Sequence, residues 1–354
     1  MNVFRKSSKL WISVFVIGLL VFSLVACSTQ TTEEPAKEEA KKEASKDDSP
    51  KEETKKDTEK FPSKPVNYIV CFNPGGESDI TARAQQKPLE EVLGVDVVVQ
   101  YKIGGGGAVG WQELVNNTDP DGYTVAGFNL PHIILQPMVR EDAGYKTEEL
   151  KPIYLFQSTP NILVVKKDSD IKTLEDFVNY AKENPGAVTI AGSGSYSANH
   201  LGTLEFNKEA GIQTTYIPAS GSGEAVPQLL GGHVTALMTY TTMGIKHSDD
   251  MRILAVASEE RVPALPDVPT FKELGYDYVE GAFRGIAGPP EMPDDKVKVW
   301  ADAAAKVNEM PEFKKKLEDL GFEILNIGPE EAKKLIAEKA EYYEKILKEL
   351  DLIK

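Results

Sequence analysis

Residues Tyr68–Arg83 read YIVCFNPGGESDITAR: a short apolar run breaks at Asn-Pro-Gly-Gly and restarts with helical spacing. A strand that turns on two glycines into a helix leaves the helix's first backbone N–H groups unpaired at the turn, which suits an anion. A tight strand-to-helix connection with no ligand explains the same residues. The pattern gains weight by recurring. It returns at Gly104–Gly107 after VDVVVQYKI, at Gly192–Ser197 (GSGSYS) after VTIA, and at Ser220–Gly223 (SGSG) after TYIPA. In parallel α/β sheets such turns lie at the C-terminal ends of strands, where ligands bind.

Apolar, β-branched runs alternate with amphipathic stretches around these turns. Strands are expected at Val66–Phe72, Val95–Gln100, Tyr123–Phe128, Ile162–Val165, Val188–Ala191, Thr214–Ile217, Thr235–Met238 and Ile253–Ala257. Helical patterns cover Ile80–Leu93, Trp111–Asn116, Thr173–Glu183, Asn199–Ala210 and Glu224–Leu230. Such alternation implies an α/β fold with mainly parallel sheets. Near the C-terminus Ala332, Ile336, Ala340, Tyr343, Leu347 and Leu350 make a helical stripe suited to packing. Crossings between two lobes are expected around Leu155–Asn161 and Glu280–Pro290, so that residues 61–157 with 285–354 form one lobe and 158–284 the other.

The N-terminal residues carry Arg5, Lys6 and Lys9, then a 16-residue apolar run, then Leu-Val-Ala-Cys ending at Cys27. This reads as a lipoprotein signal peptide over 1–26, with Cys27 lipidated and the remainder extracytoplasmic. From Ser28 to Lys60 there are eleven acidic residues, eight lysines and no aromatic, Val, Leu, Ile or Met, a composition that reads as a disordered tether. Its 33 residues give a flexible reach of about 30 Å.

The 294 residues from Phe61 hold 29 basic and 44 acidic side chains, a net charge of −15, which argues against nucleic acid and against docking on anionic lipid. Apart from Cys27, Cys71 is the only cysteine, so no intramolecular disulfide is available, and it reads as a small buried hydrophobe. The four histidines show no metal-ligand spacing, and no cofactor is expected. Gly105, Gly107 and Gly110 match the dinucleotide fingerprint, but the next strand ends in Asn129 and Asp121 stands at its wrong end. Neither Ser-rich turn contains the G-x-S-x-G elbow of a serine hydrolase. No enzymatic activity is expected.

The anion donors would be backbone N–H groups, with the hydroxyls of Ser78, Ser193, Ser195, Ser220 or Ser222 assisting. Asp79 is open between two roles: N-cap of a helix beginning at Ile80, or acceptor from a ligand hydroxyl, amine or ordered water.

From Lys64 to the C-terminus the chain resembles the substrate-binding receptors of tripartite tricarboxylate transporters, the Bug-type family. The stretches that carry the resemblance are YIVCFNPGGESDITAR, IGGGGAVG, DPDGYTVAG, AGSGSYSANHL, LLGGHV, SEERVPALPDVPTFKELGY and FRGIAGPPEMP, in that order. The resemblance implies a two-lobed, periplasmic-binding-protein-like (type II) α/β fold with a central cleft that closes on a small carboxylate. It implicates Pro74, Gly75, Gly76 and Asp79, then Gly104, Gly106 and Gly107, then Ser193, Gly194 and Ser195, to which the SGSG turn adds Ser220 and Gly221. It also implies multi-spanning permease subunits as partners; a sensor subunit serving a membrane kinase is the alternative. Four positions depart from the family pattern: Gly105 for Ala, Tyr101 for Asn, Ala219 where an aromatic wall is usual, and Thr235 for Asp.

Overall fold

The computed structural model describes residues 60–354; the signal, Cys27 and tether expectations lie outside the described residues. The chain opens with β1 (Val66–Val70), α1 (Glu77–Leu93), β2 (Val97–Tyr101), α2 (Ala108–Asn116), β3 (Thr124–Leu130) and α3 (His132–Val139). A 16-residue strand, β4 (Lys151–Lys166), leads to α4 (Leu174–Glu183), β5 (Thr189–Gly192), α5 (Ala198–Ala210), β6 (Thr215–Pro218), α6 (Ser222–Leu230), β7 (Ala236–Tyr240), α7 (Thr241–Lys246) and β8 (Met251–Val256). After β9 (Gly281–Gly288) come α8 (Asp294–Glu309), α9 (Pro311–Asp319), β10 (Glu323–Ile327) and α10 (Pro329–Glu349).

These strands make two sheets that share β4. The first runs β2-β1-β3-β9-β4, with β10 on the first half of β4; the second runs from β4 through β7 and β5 to β6, with β8 on the other side of β4. The pairings are mixed rather than mainly parallel. β1 pairs parallel with β2 and β3, and β5 with β6 and β7. Every pairing made by β4 or β9 is antiparallel, because these two strands carry the chain between the sheets in opposite directions. β4 faces β9 as far as Pro160 opposite Gly281, then faces β7 from Asn161 onward.

Helices cover both faces of both sheets, as parallel β-α units require. In the first sheet, Leu89 of α1, Trp300 of α8 and Leu317 of α9 pack on one face, while Trp111 of α2, Ile134 of α3 and Leu347 of α10 pack on the other. In the second, Phe177 of α4 and Phe206 of α5 oppose Leu229 of α6 and Met243 of α7. The C-terminal stripe packs as its spacing requires: Ala332, Tyr343 and Leu347 of α10 are buried in the first sheet's core. Thr235 bonds across to Thr189.

Candidate functional site

All four Gly/Ser turns stand at strand ends, and they meet in pairs across the two sheets. The turn between β1 and α1 meets the turn between β6 and α6: Asn73 N–H donates to the Ser220 carbonyl at 3.4 Å, and a Cβ on Gly76 would lie 3.1 Å from the Gly223 nitrogen. The turn between β2 and α2 meets the turn between β5 and α5: a Cβ on Gly194 would lie 3.0 Å from Gly106 Cα. The Gln136 amide of α3 fixes this second contact by donating to the Ser195 carbonyl at 2.6 Å. Gly106, at φ +67°, has no room for a side chain, since a Cβ would fall 2.5 Å from Gln136 Nε2. Bare backbone is therefore required for the approach of the two halves.

Much of the backbone expected to donate to an anion is already engaged. Gly75 N–H donates to Asp79 Oδ2 at 2.7 Å, Ser193 N–H to Asn199 Oδ1 at 3.0 Å, and Ser220 N–H to Glu224 Oε2 at 2.7 Å. Gly76, Gly107 and Gly194 N–H bond to carbonyls within their own turns. Gly104 and Gly221, both at positive φ, precede the Gly105–Gly107 turn and α6, and Gly221 packs on Phe72. Pro74 is exposed, with its carbonyl toward Gly223. Asp79 is not the N-cap of a helix beginning at Ile80. α1 begins at Glu77, not Ile80, with Gly76 at its N-cap, so Asp79 lies in the first turn and folds back to tie the Gly75 turn. Tyr101, one of the departures, donates to Asp79 Oδ1 at 2.6 Å and explains that arrangement.

Beside the first pair of turns, and reached by Ser193 of the second, lies a cavity of about 10 Å³, room for about one water. Its walls bring in residues that sequence reasoning did not select. Arg284 of β9 and Glu77 of α1 form a buried ion pair there, at 3% and 2% exposure, and Thr242 of α7 donates its hydroxyl to Glu77 from the second half. Arg284 also donates from Nη1 to Thr159 Oγ1 at 3.2 Å and stacks its guanidinium over Tyr240, 4.8 Å from the ring centre. Arg284 Nε has no partner. Burial pushes the Glu77 carboxyl above its ordinary value, against the pull of Arg284 and Thr242.

His132, fully buried at the start of α3, also lines this cavity, with neither ring nitrogen partnered. Burial lowers its pKa to about 3, with Arg284 adding to the shift, so the imidazole is neutral. Among the expected residues, Gly76, Ser78, Ser193 and Ser222 line the cavity; Ser78 accepts from Asn129, and Ser193 bonds Tyr240 at 3.2 Å. Phe72, His132 and Tyr240 supply the rings that Ala219 does not.

Gly110, the third glycine of the dinucleotide-like pattern, serves packing: a Cβ there would lie 2.4 Å from Cys71 Sγ. Among the described residues no cluster of His, Cys, Asp or Glu is arranged to hold a metal, and no helix is long and apolar enough to cross a membrane. His200 is structural: it accepts from Tyr196 N–H at 3.0 Å and stacks on Tyr216.

Comparison with known proteins gives this geometry a context. The family model described as "Tripartite tricarboxylate transporter family receptor" matches residues 81–352. A curated relative, the "UPF0065 protein in gbd 5'region" of Cupriavidus necator, is 31% identical over 296 residues, covering 83% of this chain and 90% of its own. The solved structure of the periplasmic binding protein BugD is 27% identical with a TM-score of 0.79, over 83% of this chain and 99% of that one. MatC from Rhodopseudomonas palustris, solved with bound malate, shares the fold at 24% identity and a TM-score of 0.76, over 81% and all of the respective chains. The matched family model describes a receptor and BugD is a periplasmic binding protein; this chain is accordingly an extracytoplasmic solute-binding protein of the type II fold rather than an enzyme. The chain belongs to the tripartite tricarboxylate transporter receptor family.

Proposed function

We propose that this receptor captures a small carboxylate in the cleft between its two lobes, residues 61–157 with 285–354 and residues 158–284, and delivers it to multi-spanning permease subunits. The observation that carries the reading is the meeting of four Gly/Ser turns in two pairs, three of which contribute residues to a cavity that holds a buried guanidinium. Small carboxylates suit this chemistry because they need convergent N–H, hydroxyl and cationic donors and little else. Malate, which the MatC structure holds, is one such ligand. The ligand would be held by Gly76, Ser78 and Ser193 together with residues of the Gly104–Gly107 and Ser220–Gly223 turns, once the lobes part far enough to admit it.

A thermal-shift screen of acetate, succinate, malate and citrate tests the reading. At least one should raise the melting temperature in a saturable way; a flat response from folded protein to all four rejects carboxylate capture. We also infer that Cys27 carries lipid and holds the receptor at the membrane. Cys27→Ala should abolish incorporation of a fatty-acid label, and equal labelling of both proteins would refute the anchor.

A further inference from the structure

We propose that Arg284 is the charged anchor for the ligand's carboxylate, and that Glu77 is a resident carboxylate which occupies Arg284 in competition with the ligand. The inference rests on the carboxylate reading above and deepens it.

Arg284 is the one permanently charged cation among the residues lining the interlobe cavity. Its guanidinium is fixed from three sides, by Glu77, by Thr159 Oγ1 and by the face of Tyr240, while Nε is left without a partner. A planar fork held in one orientation is what recognition of a carboxylate needs, and an unmet buried donor is costly until an acceptor arrives. His132 adds two unpartnered ring nitrogens to the same cavity, so one donor and one acceptor stand ready beside Arg284. That a carboxylate fits this guanidinium is demonstrated by Glu77 itself.

Volume and charge then force competition. The cavity of about 10 Å³ admits roughly one water, so a ligand carboxylate and the Glu77 carboxylate cannot both lie there as the lobes are placed. One buried guanidinium also balances one anion, and a second unpaired carboxylate would be expensive at this depth. Glu77 is the group able to yield. It is the first residue of α1, directly after the Gly75–Gly76 turn, and its other partner, Thr242, belongs to α7 of the opposite lobe. Parting of the lobes removes Thr242 and opens Glu77 to water. The ligand then takes Arg284, and the lobes close on it instead.

A different role for the same contacts is a latch, in which Glu77 and Thr242 simply hold the lobes together. The two roles predict opposite signs. As a competitor, Glu77 held less firmly means tighter ligand binding; as a latch, it means a weaker closed state and weaker binding.

The test is calorimetric titration of full-length protein in detergent with acetate, succinate, malate and citrate. Thr242→Val keeps the shape and removes one hydrogen bond to Glu77; affinity for whichever acid binds wild type should rise about threefold or more. Glu77→Gln should raise it at least tenfold. The double variant Glu77→Gln/Arg284→Gln leaves no unpaired buried charge, and its affinity should fall at least a hundredfold below that of Glu77→Gln. Weaker or unchanged binding by Thr242→Val overturns the competition even if the Glu77 variants fail to fold. A folded double variant that binds as tightly as Glu77→Gln overturns the anchor. If wild type itself binds none of the four acids, the carboxylate reading falls and this inference with it; if wild type binds and the variants behave as stated for a latch, only this inference falls.

Discussion

Gly76 and Gly223 confront each other across the two halves of the molecule with almost nothing between them. A Cβ on Gly76 would sit 3.1 Å from the Gly223 nitrogen, and one on Gly223 would sit 2.6 Å from the Pro74 carbonyl oxygen. Gly76 itself has φ −80° and ψ 174°, which any residue adopts, so its smallness is demanded by its neighbours, the Gly223 nitrogen and, at 3.3 Å, the Asn73 carbonyl of its own turn.

Gly76→Val therefore should leave the fold intact while preventing the close approach of the turns. Carboxylate affinity is expected to fall at least tenfold, about 1.4 kcal/mol. Calorimetry on the folded variant checks this, and undiminished affinity would show that the turn contact plays no part in binding.

Asp79 holds the same turn from within, accepting from Gly75 N–H and from Tyr101 while Arg83 approaches at 3.4 Å. Asp79→Ala should cost about 2 kcal/mol of stability and Tyr101→Phe about 1 kcal/mol, since hydrogen bonds to a carboxylate are worth more than neutral ones. Urea unfolding measures both. Equal losses for the two variants would mean that the Gly75 bond contributes nothing.

Glu205 of α5 is pushed up to about 8, first by burial and then by the neighbouring Glu280, with Lys339 and Lys208 opposing. The folded chain keeps this proton up to about pH 8, whereas the unfolded chain loses it near 4.5. The native state thus binds more protons through that window, and its contribution to stability is lost as pH rises. Glu205→Gln does not titrate, so its advantage over wild type should be larger at pH 9 than at pH 5. Urea midpoints at the two pH values decide it; parallel behaviour would count against the shifted proton.

On the proposed reading, the ligand touches both lobes only when the turns are close, and such differential affinity is what can move an open–closed equilibrium. Spin labels at the exposed Lys87 of α1 and Lys182 of α4 should draw together on addition of a bound carboxylate. Small-angle scattering should report a more compact particle at the same time. Unchanged distances in a sample shown to bind would place the ligand elsewhere.

The turns were legible because each couples a strand ending to glycines and serines, and that coupling is local. The sheets around them were legible for the same reason, through alternating apolar runs such as VNYIV and VTIA. Arg284 and Glu77 were not, because a charged residue ordinarily reads as surface and the burial of this pair is created by contact between distant segments. A signal did exist: Arg284 is an isolated charge within AFRGIAG, a stretch otherwise made of small and apolar residues. Those glycines make β9 read as a crossing rather than a strand, and the helical period of α3 is obscured because HIILQPMV is a nearly continuous apolar run that carries Pro137. Pro152 and Pro160 likewise hid the first half of β4, where register shifts and the strand's transfer between partners accommodate them.

β4 and β9 connect the two halves as neighbouring strands, with Pro160 opposite Gly281 and Asn161 N–H bonded to the Glu280 carbonyl at 2.9 Å. Two hydrogen-bonded strands form a ribbon, which bends easily out of its own plane but resists sliding within it, because sliding breaks the ladder. On the proposed reading the halves hinge about this ribbon, each moving as a rigid body. Fluorescence or spin probes placed anywhere across the cleft should accordingly relax with one shared rate constant after a jump in ligand concentration.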